Sequence, residues 1–199
     1  MSRVITNQHP LPSHNPPAPE QLLQHLRPHG SQEALTYGFL GHDENLEEVT
    51  TRDREVLQRL GLTYDQIART IEDVFLHMPA SINGHRLHLF GYIHSPECPW
   101  QDFCAVNIFD YSEQITEIWL CNPRYYWILR VLLKFWGKEK RLAKLKWLVE
   151  KDWVMVLSDL HPHLIRDHQF FEGHGTPYRI DPERFVKVLG RHNIHPYAH

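Results

Sequence analysis

Residues 81–121 read SINGHRLHLFGYIHSPECPWQDFCAVNIFDYSEQITEIWLC, and this stretch decides the fold class. Asn83-Gly84 is a hairpin-type turn, because both residues tolerate the positive φ that a tight two-residue turn requires. RLHLFGYIH (86–94), AVNIFDY (105–111) and ITEIWLC (115–121) read as three strands, with apolar residues recurring at period two. A loop holding Cys98 and Cys104 separates the first two, and a turn near Ser112-Glu113 separates the others.

Helical patterns lie on both sides of this core. Upstream, Pro19 opens a short helix, PEQLLQHLR, with proline at its first position. TTRDREVLQRLG reads as a helix over 52–60, capped by Thr51 and stopped by Gly61. LTYDQIARTIEDVFLHM follows as a helix over 64–77. There Thr63 and Gln66 form a capping box, and Ile67, Ile71, Val74 and Phe75 share one face. The pair resembles the opening of a helix-turn-helix, but its second helix continues without a recognition helix, so a plain helical hairpin is expected. Downstream, SDLHPHLIRDHQFFEG reads as a helix capped by Asp159 or His161 and stopped by Gly173. DPERFVKVLG is a helix with Asp181 as cap, Pro182 at its first position and Gly190 at its stop. The expected class is α+β: a small antiparallel sheet across 86–121 with an N-terminal helical pair and C-terminal helices.

Composition bounds the rest. The chain has 199 residues, 42% of them hydrophobic, with a formal net charge of −3. That suits one domain over 19–199 behind a flexible Pro/His-rich arm at 1–18. It excludes a globally basic nucleic-acid binder, though not a local basic patch. No run of eighteen apolar residues predicts a membrane span, and the N-terminus lacks the apolar core of a secretory signal. Three cysteines are too few for a disulfide scaffold. A cytoplasmic location with reduced thiols is therefore expected.

Sixteen histidines are unusual, and their placement is informative: none falls between Ser95 and Leu160, while seven fall from His161 to His199. Cys98-x5-Cys104 followed by His163-x4-His168 supplies four ligands suited to one tetrahedral zinc. Two histidines five apart lie about 140° apart around a helix, so they can share a metal only where the helix ends. The ligands come from distant segments, which predicts one structural zinc per chain pinning the C-terminal helix to the sheet. His94, His161, Cys121 and His174 are reserve ligands, and Asp159 and Asp167 are candidate partners for the histidines' second ring nitrogens. Iron uses similar donors. The plainer alternative is a buried thiol and solvated histidines.

Residues 124–151, RYYWILRVLLKFWGKEKRLAKLKWLVEK, hold nine Lys/Arg against two Glu, a local charge of +7 within a chain of −3. They read as one long helix, or two broken near Gly137. Such a segment can bury its apolar face in the core, pack on a second subunit or protein partner, lie on an anionic membrane, or meet phosphates. Core burial is the commonest outcome for an amphipathic helix.

A second chemistry for the metal is hydrolysis, using His161-Pro-His163 with Asp159, Asp167 or Glu172 as base. No HExxH, nucleophile-elbow or P-loop pattern supports an enzyme. Phe170-Phe171 and Tyr178-Arg179 read as core rather than pocket.

CPWQDFC, HLIRDHQFFEG and TPYRIDPE, with TTRDREVLQRLGLTYDQIA upstream, resemble signature segments of a group of bacterial conserved hypothetical proteins. The resemblance spans roughly 45–190 with 124–151 as an insertion. It implies pairing of the cysteine loop with the histidine helix, and no activity. The expected function is a non-enzymatic, zinc-stabilised binding or regulatory module. A metal-dependent hydrolase, or a nucleic-acid or membrane-surface adaptor through 124–151, is the alternative.

Overall fold

Strand β1 (Ser81–Ile82) turns through Asn83, φ 46°, and Gly84, φ 78°, into β2 (His85–Gly91), as the hairpin signal requires. The computed structural model describes residues 17–28, 38–77, 81–91, 98–102, 115–135 and 141–195. The expected arm over 1–16 and the expected strand over 105–111 lie outside them. β2 pairs antiparallel with β3 (Ile115–Cys121), with Leu87 opposite Leu120 and His88 opposite Trp119. β3 pairs antiparallel with β4 (Val154–Ser158), giving the order β1-β2-β3-β4. Seven α-helices accompany this four-stranded sheet among the described residues, so the chain is α+β.

β4 extends the sheet beyond the expected 86–121. Its sequence, VMVLS, shows no alternation because all five residues are buried. Met155 and Leu157 enter one core cluster with Ile118 and Leu120, while Val154 and Val156 enter another with Trp119 and Cys121. A strand covered on both faces loses its period-two signature.

The first face carries α2 (Leu46–Leu60), α3 (Tyr64–His77), α6 (His161–His168) and α7 (Pro182–Leu189), through Leu57, Ile71, Phe75, Ile165 and Phe185. The second carries α4 (Tyr126–Phe135) and α5 (Arg141–Glu150), which bury Leu129, Leu145 and Leu148. Each such burial contributes about 1.5–3 kcal/mol. The basic segment is thus two helices joining β3 to β4 and covering half the sheet. α1 (Pro19–Leu26) seals a smaller cluster around Leu40, Cys98, Leu164 and Phe170.

Three helix ends differ from expectation. α2 starts at Leu46, where the Asn45 Oδ1 accepts from the Glu47 and Glu48 N–H groups, and Thr51 lies inside the helix. α6 has no side-chain cap, since Leu160 occupies the position given to Asp159 or His161. It stops at Gln169 in a left-handed conformation, φ 54°, rather than at Gly173. Gly173 serves a close approach instead: its N–H donates to the Phe39 carbonyl at 2.8 Å, and an added Cβ would lie 3.0 Å from the Leu40 Cα. The Thr63–Gln66 box and the Asp181 cap form as expected.

Candidate metal centre

CPWQD folds as a tight turn: the Gln101 N–H donates to the Cys98 carbonyl at 2.8 Å, and Gln101 takes φ 60°. This reversal returns Asp102 to the same side as Cys98. The Cys98 thiol is 1% exposed, packed among Leu26, Leu40, Leu164 and Phe170. Opposite the turn stands α6, whose third residue is His163 and whose last is His168. The helix ends where the shared geometry needs it to end.

One ligand atom each from Cys98, Asp102, His163 and His168 lie within 4.8 Å of one another. The His168 Nε2 is 3.5 Å from the Cys98 Sγ and 3.1 Å from the His163 Nε2. Asp102 oxygens lie 3.0 Å from the His163 Nε2 and 3.1 Å from the His168 Nε2. Bond lengths of about 2.3 Å to sulfur and about 2.0–2.1 Å to nitrogen or oxygen give tetrahedral edges of about 3.6 Å (S to N) and about 3.3 Å (N to N or O). The four observed separations fall within about 0.3 Å of those edges, and the remaining pairs lie within 4.8 Å. These residues fit a tetrahedral divalent cation.

The surrounding contacts aim the donors. Asp167 accepts from the His163 Nδ1–H at 2.7 Å, one helical turn on. With its Nδ1–H held there, a neutral His163 would turn its Nε2 lone pair to the cluster, the tautomer a metal ligand requires. The His168 ring stacks on Trp100 at 4.0 Å and 7°, so the aromatic of the turn fixes the plane of the imidazole. With both Nε2 atoms presenting lone pairs, these two nitrogens and the Asp102 carboxylate would converge on one point as donors to a cation. Burial lowers the His168 pKa, with the Asp102 charge opposing it, and so favours the neutral ring. For Asp102, burial is outweighed by the Cys98 thiol and the two histidines, and the carboxyl stays below its usual range. Burial, with Asp102 adding to it, pushes the Cys98 thiol up; a bound cation reverses that and holds the thiolate.

Three of the four sequence-selected residues are brought together. Cys104 lies outside the described residues, and the fourth donor here is Asp102. A pattern of thiols and imidazoles alone does not include it. A carboxylate four residues after a cysteine, across a proline-containing turn, was the available signal.

The described reserve residues, Cys121, His161 and His174, are placed elsewhere. His94 is outside the described residues. Cys121 lies in β3 among the second-face cluster, its thiol pushed up to about 12 by burial. The His174 N–H donates to the Glu44 carboxylate. Asp159 is buried before α6 and is not in the cluster. His161 is fully buried, its Nε2 3.1 Å from Glu172 and its Nδ1 accepting the Ser158 N–H at 2.8 Å. With Glu172 also accepting from the Thr176 hydroxyl, this is a closed polar network inside the core. His161 therefore does not join His163 on a metal, which removes the His-x-His pair from the hydrolytic reading. Nor can it act as base toward the Ser158 hydroxyl, because its acceptor nitrogen already holds a backbone N–H.

Phe170 and Phe171 are core, each 0% exposed. Tyr178 donates to Glu117, and Arg179 makes a two-pronged ion pair with the buried Asp53. An open cleft of about 710 Å³ adjoins the cluster instead, lined in part by Leu22, Arg27, Glu44, Arg54, Trp100 and His168.

Comparison of the chain with protein-family models, with curated proteins and with solved structures finds no match. Among the described residues, no helix is long and apolar enough to cross a membrane.

Proposed function

We propose that this chain is a zinc-stabilised binding module rather than an enzyme. One Zn²⁺ per chain, held by Cys98, Asp102, His163 and His168, locks the connection between β2 and β3 onto the end of α6. The observation that carries this reading is the 3.1 Å approach of the two Nε2 atoms, with the His163 Nδ1–H committed to Asp167. A thiolate, a carboxylate and two imidazoles are zinc donors, and softer or harder metals favour more uniform sets. Four protein donors complete a tetrahedron and leave no position for a reacting water, as in structural sites. Among the described residues, Asp102 is counted as a donor and Asp167 is engaged in orienting His163, so neither is left as a base for hydrolysis.

The test is metal content of protein purified without a nickel column, beside Cys98→Ser. About one zinc per chain, lost in the variant together with several degrees of thermal stability, supports the proposal. A well-folded wild-type chain without metal ends it. Zinc that stays bound while turning over a hydrolysable substrate would instead favour the catalytic alternative.

A further inference from the structure

Helix α4 carries an apolar arc on its outer side. Leu129 points inward, 1% exposed, whereas Trp127 is 70%, Ile128 51%, Val131 55% and Phe135 82% exposed. At 100° per residue, these four side chains span an arc of about 100° opposite Leu129. Arg130 and Lys134 border that arc on one side, both exposed, with the Arg130 guanidinium 5.6 Å from the centre of the Trp127 ring. A scattered exposed leucine is ordinary, but four large apolar residues on one arc of one helix are not.

We propose that this face of α4 seats the protein on an anionic lipid surface, with Trp127, Ile128, Val131 and Phe135 entering the headgroup–acyl boundary. The proposal goes beyond the zinc-stabilised module and does not depend on it. Its occupant follows from charge and shape. Arg130 and Lys134 supply two exposed cations at the edge of the apolar arc, within a segment, 124–151, that holds nine Lys/Arg against two Glu in a chain of net charge −3. That combination, with tryptophan at the boundary, is the pattern of an interfacial helix. A phosphate backbone would satisfy Arg130 and Lys134 and offer nothing to the apolar four. A second copy of α4 would bring its own cations against them. A peptide partner needs a groove, and a side chain as exposed as Phe135 stands off the surface. At ten residues, α4 is about 15 Å long. It can lie in the interface but cannot cross the bilayer.

The experiment is sedimentation of the full-length protein as purified, its metal content measured, with phosphatidylcholine vesicles, with and without phosphatidylserine. Expected is binding to the phosphatidylserine vesicles that weakens as salt rises. W127S/F135S should abolish it at unchanged thermal midpoint, since both side chains are exposed. R130Q/K134Q should weaken it about thirtyfold, the equivalent of two cations at an anionic surface. Failure of the wild type to bind, or equal binding by a folded W127S/F135S, overturns the proposal. So does a concentration-dependent dimer that W127S/F135S dissolves, or DNA binding indifferent to those substitutions. A metal-free but folded wild type that still binds vesicles would sink the zinc reading and leave this one standing.

Discussion

His163 and His168 bring their Nε2 atoms to 3.1 Å with ring planes at 85°, although four residues of helix separate them. The angle around α6 opposes this approach. It succeeds because His168 is the last helical residue and Gln169 leaves the helix in the left-handed region. The stack on Trp100 then turns the His168 ring toward its neighbour.

Asp167→Asn should weaken zinc binding about 10- to 100-fold without dismantling the fold, because the orienting carboxylate is lost while all four donors stay. A competition titration against a chromophoric chelator measures it. An unchanged affinity would mean that His163 is held by packing alone.

Asp102→Asn and Cys104→Ser separate the two candidates for the fourth ligand. Four donors already complete a tetrahedron, so Cys104→Ser is expected to keep about one zinc per chain, and Asp102→Asn to lose affinity. The reverse pattern, read by metal analysis after dialysis, would return Cys104 to the site.

His161→Ala should leave zinc in place yet destabilise the protein. It strips partners from the buried Ser158 N–H and the Glu172 carboxylate. The cost is about 3 kcal/mol from unsatisfied polar groups and the cavity, or a fall of about 10 °C in Tm. Zinc loss without destabilisation would restore His161 as a ligand.

Stability should fall as the pH drops from neutrality through about 6.5. Burial, with Arg184 adding to it, lowers the His85 pKa below its ordinary 6.5, and burial with Arg179 does the same for His174. Below 6.5 the unfolded chain therefore binds protons that the folded chain does not, and the native state loses ground as pH falls. Protonation of the metal ligands acts in the same direction. H85Q/H174Q separates the two, since neither residue belongs to the cluster. Thermal midpoints across that pH range should fall less steeply in this variant; parallel curves would assign the whole effect to the metal.

The elements that depend on local chemistry were legible along the chain. Asn83-Gly84, the Thr63–Gln66 box, Asp181-Pro182 and Pro19 each mark a boundary through hydrogen bonds or φ values that involve only neighbouring residues. The pairing of Cys98 with the His163–His168 helix was legible too, since cysteines are few in this chain and the two histidines sit on one short helix. The extent of α2 was not, because Thr51 offers the same capping chemistry as Asn45, and it is Asn45 that accepts the Glu47 and Glu48 N–H groups.

The sequence by itself determined the residue types able to hold a metal, the starts of α1, α3 and α7 and the basic character of 124–151. Only the tertiary structure decided that β4 belongs to the sheet, because burial on both faces erases the alternation that marks a strand. It also decided that Asp102 completes the cluster and that His161 does not. Both depend on where a turn and a helix end meet, and no periodicity records the direction in which a side chain points across that gap. The outer arc of α4 has the same origin. Its apolar residues are written plainly in WILRVLLKF, but which of them face Leu145 and Leu148 and which face out follows only from how α4 lies on the sheet.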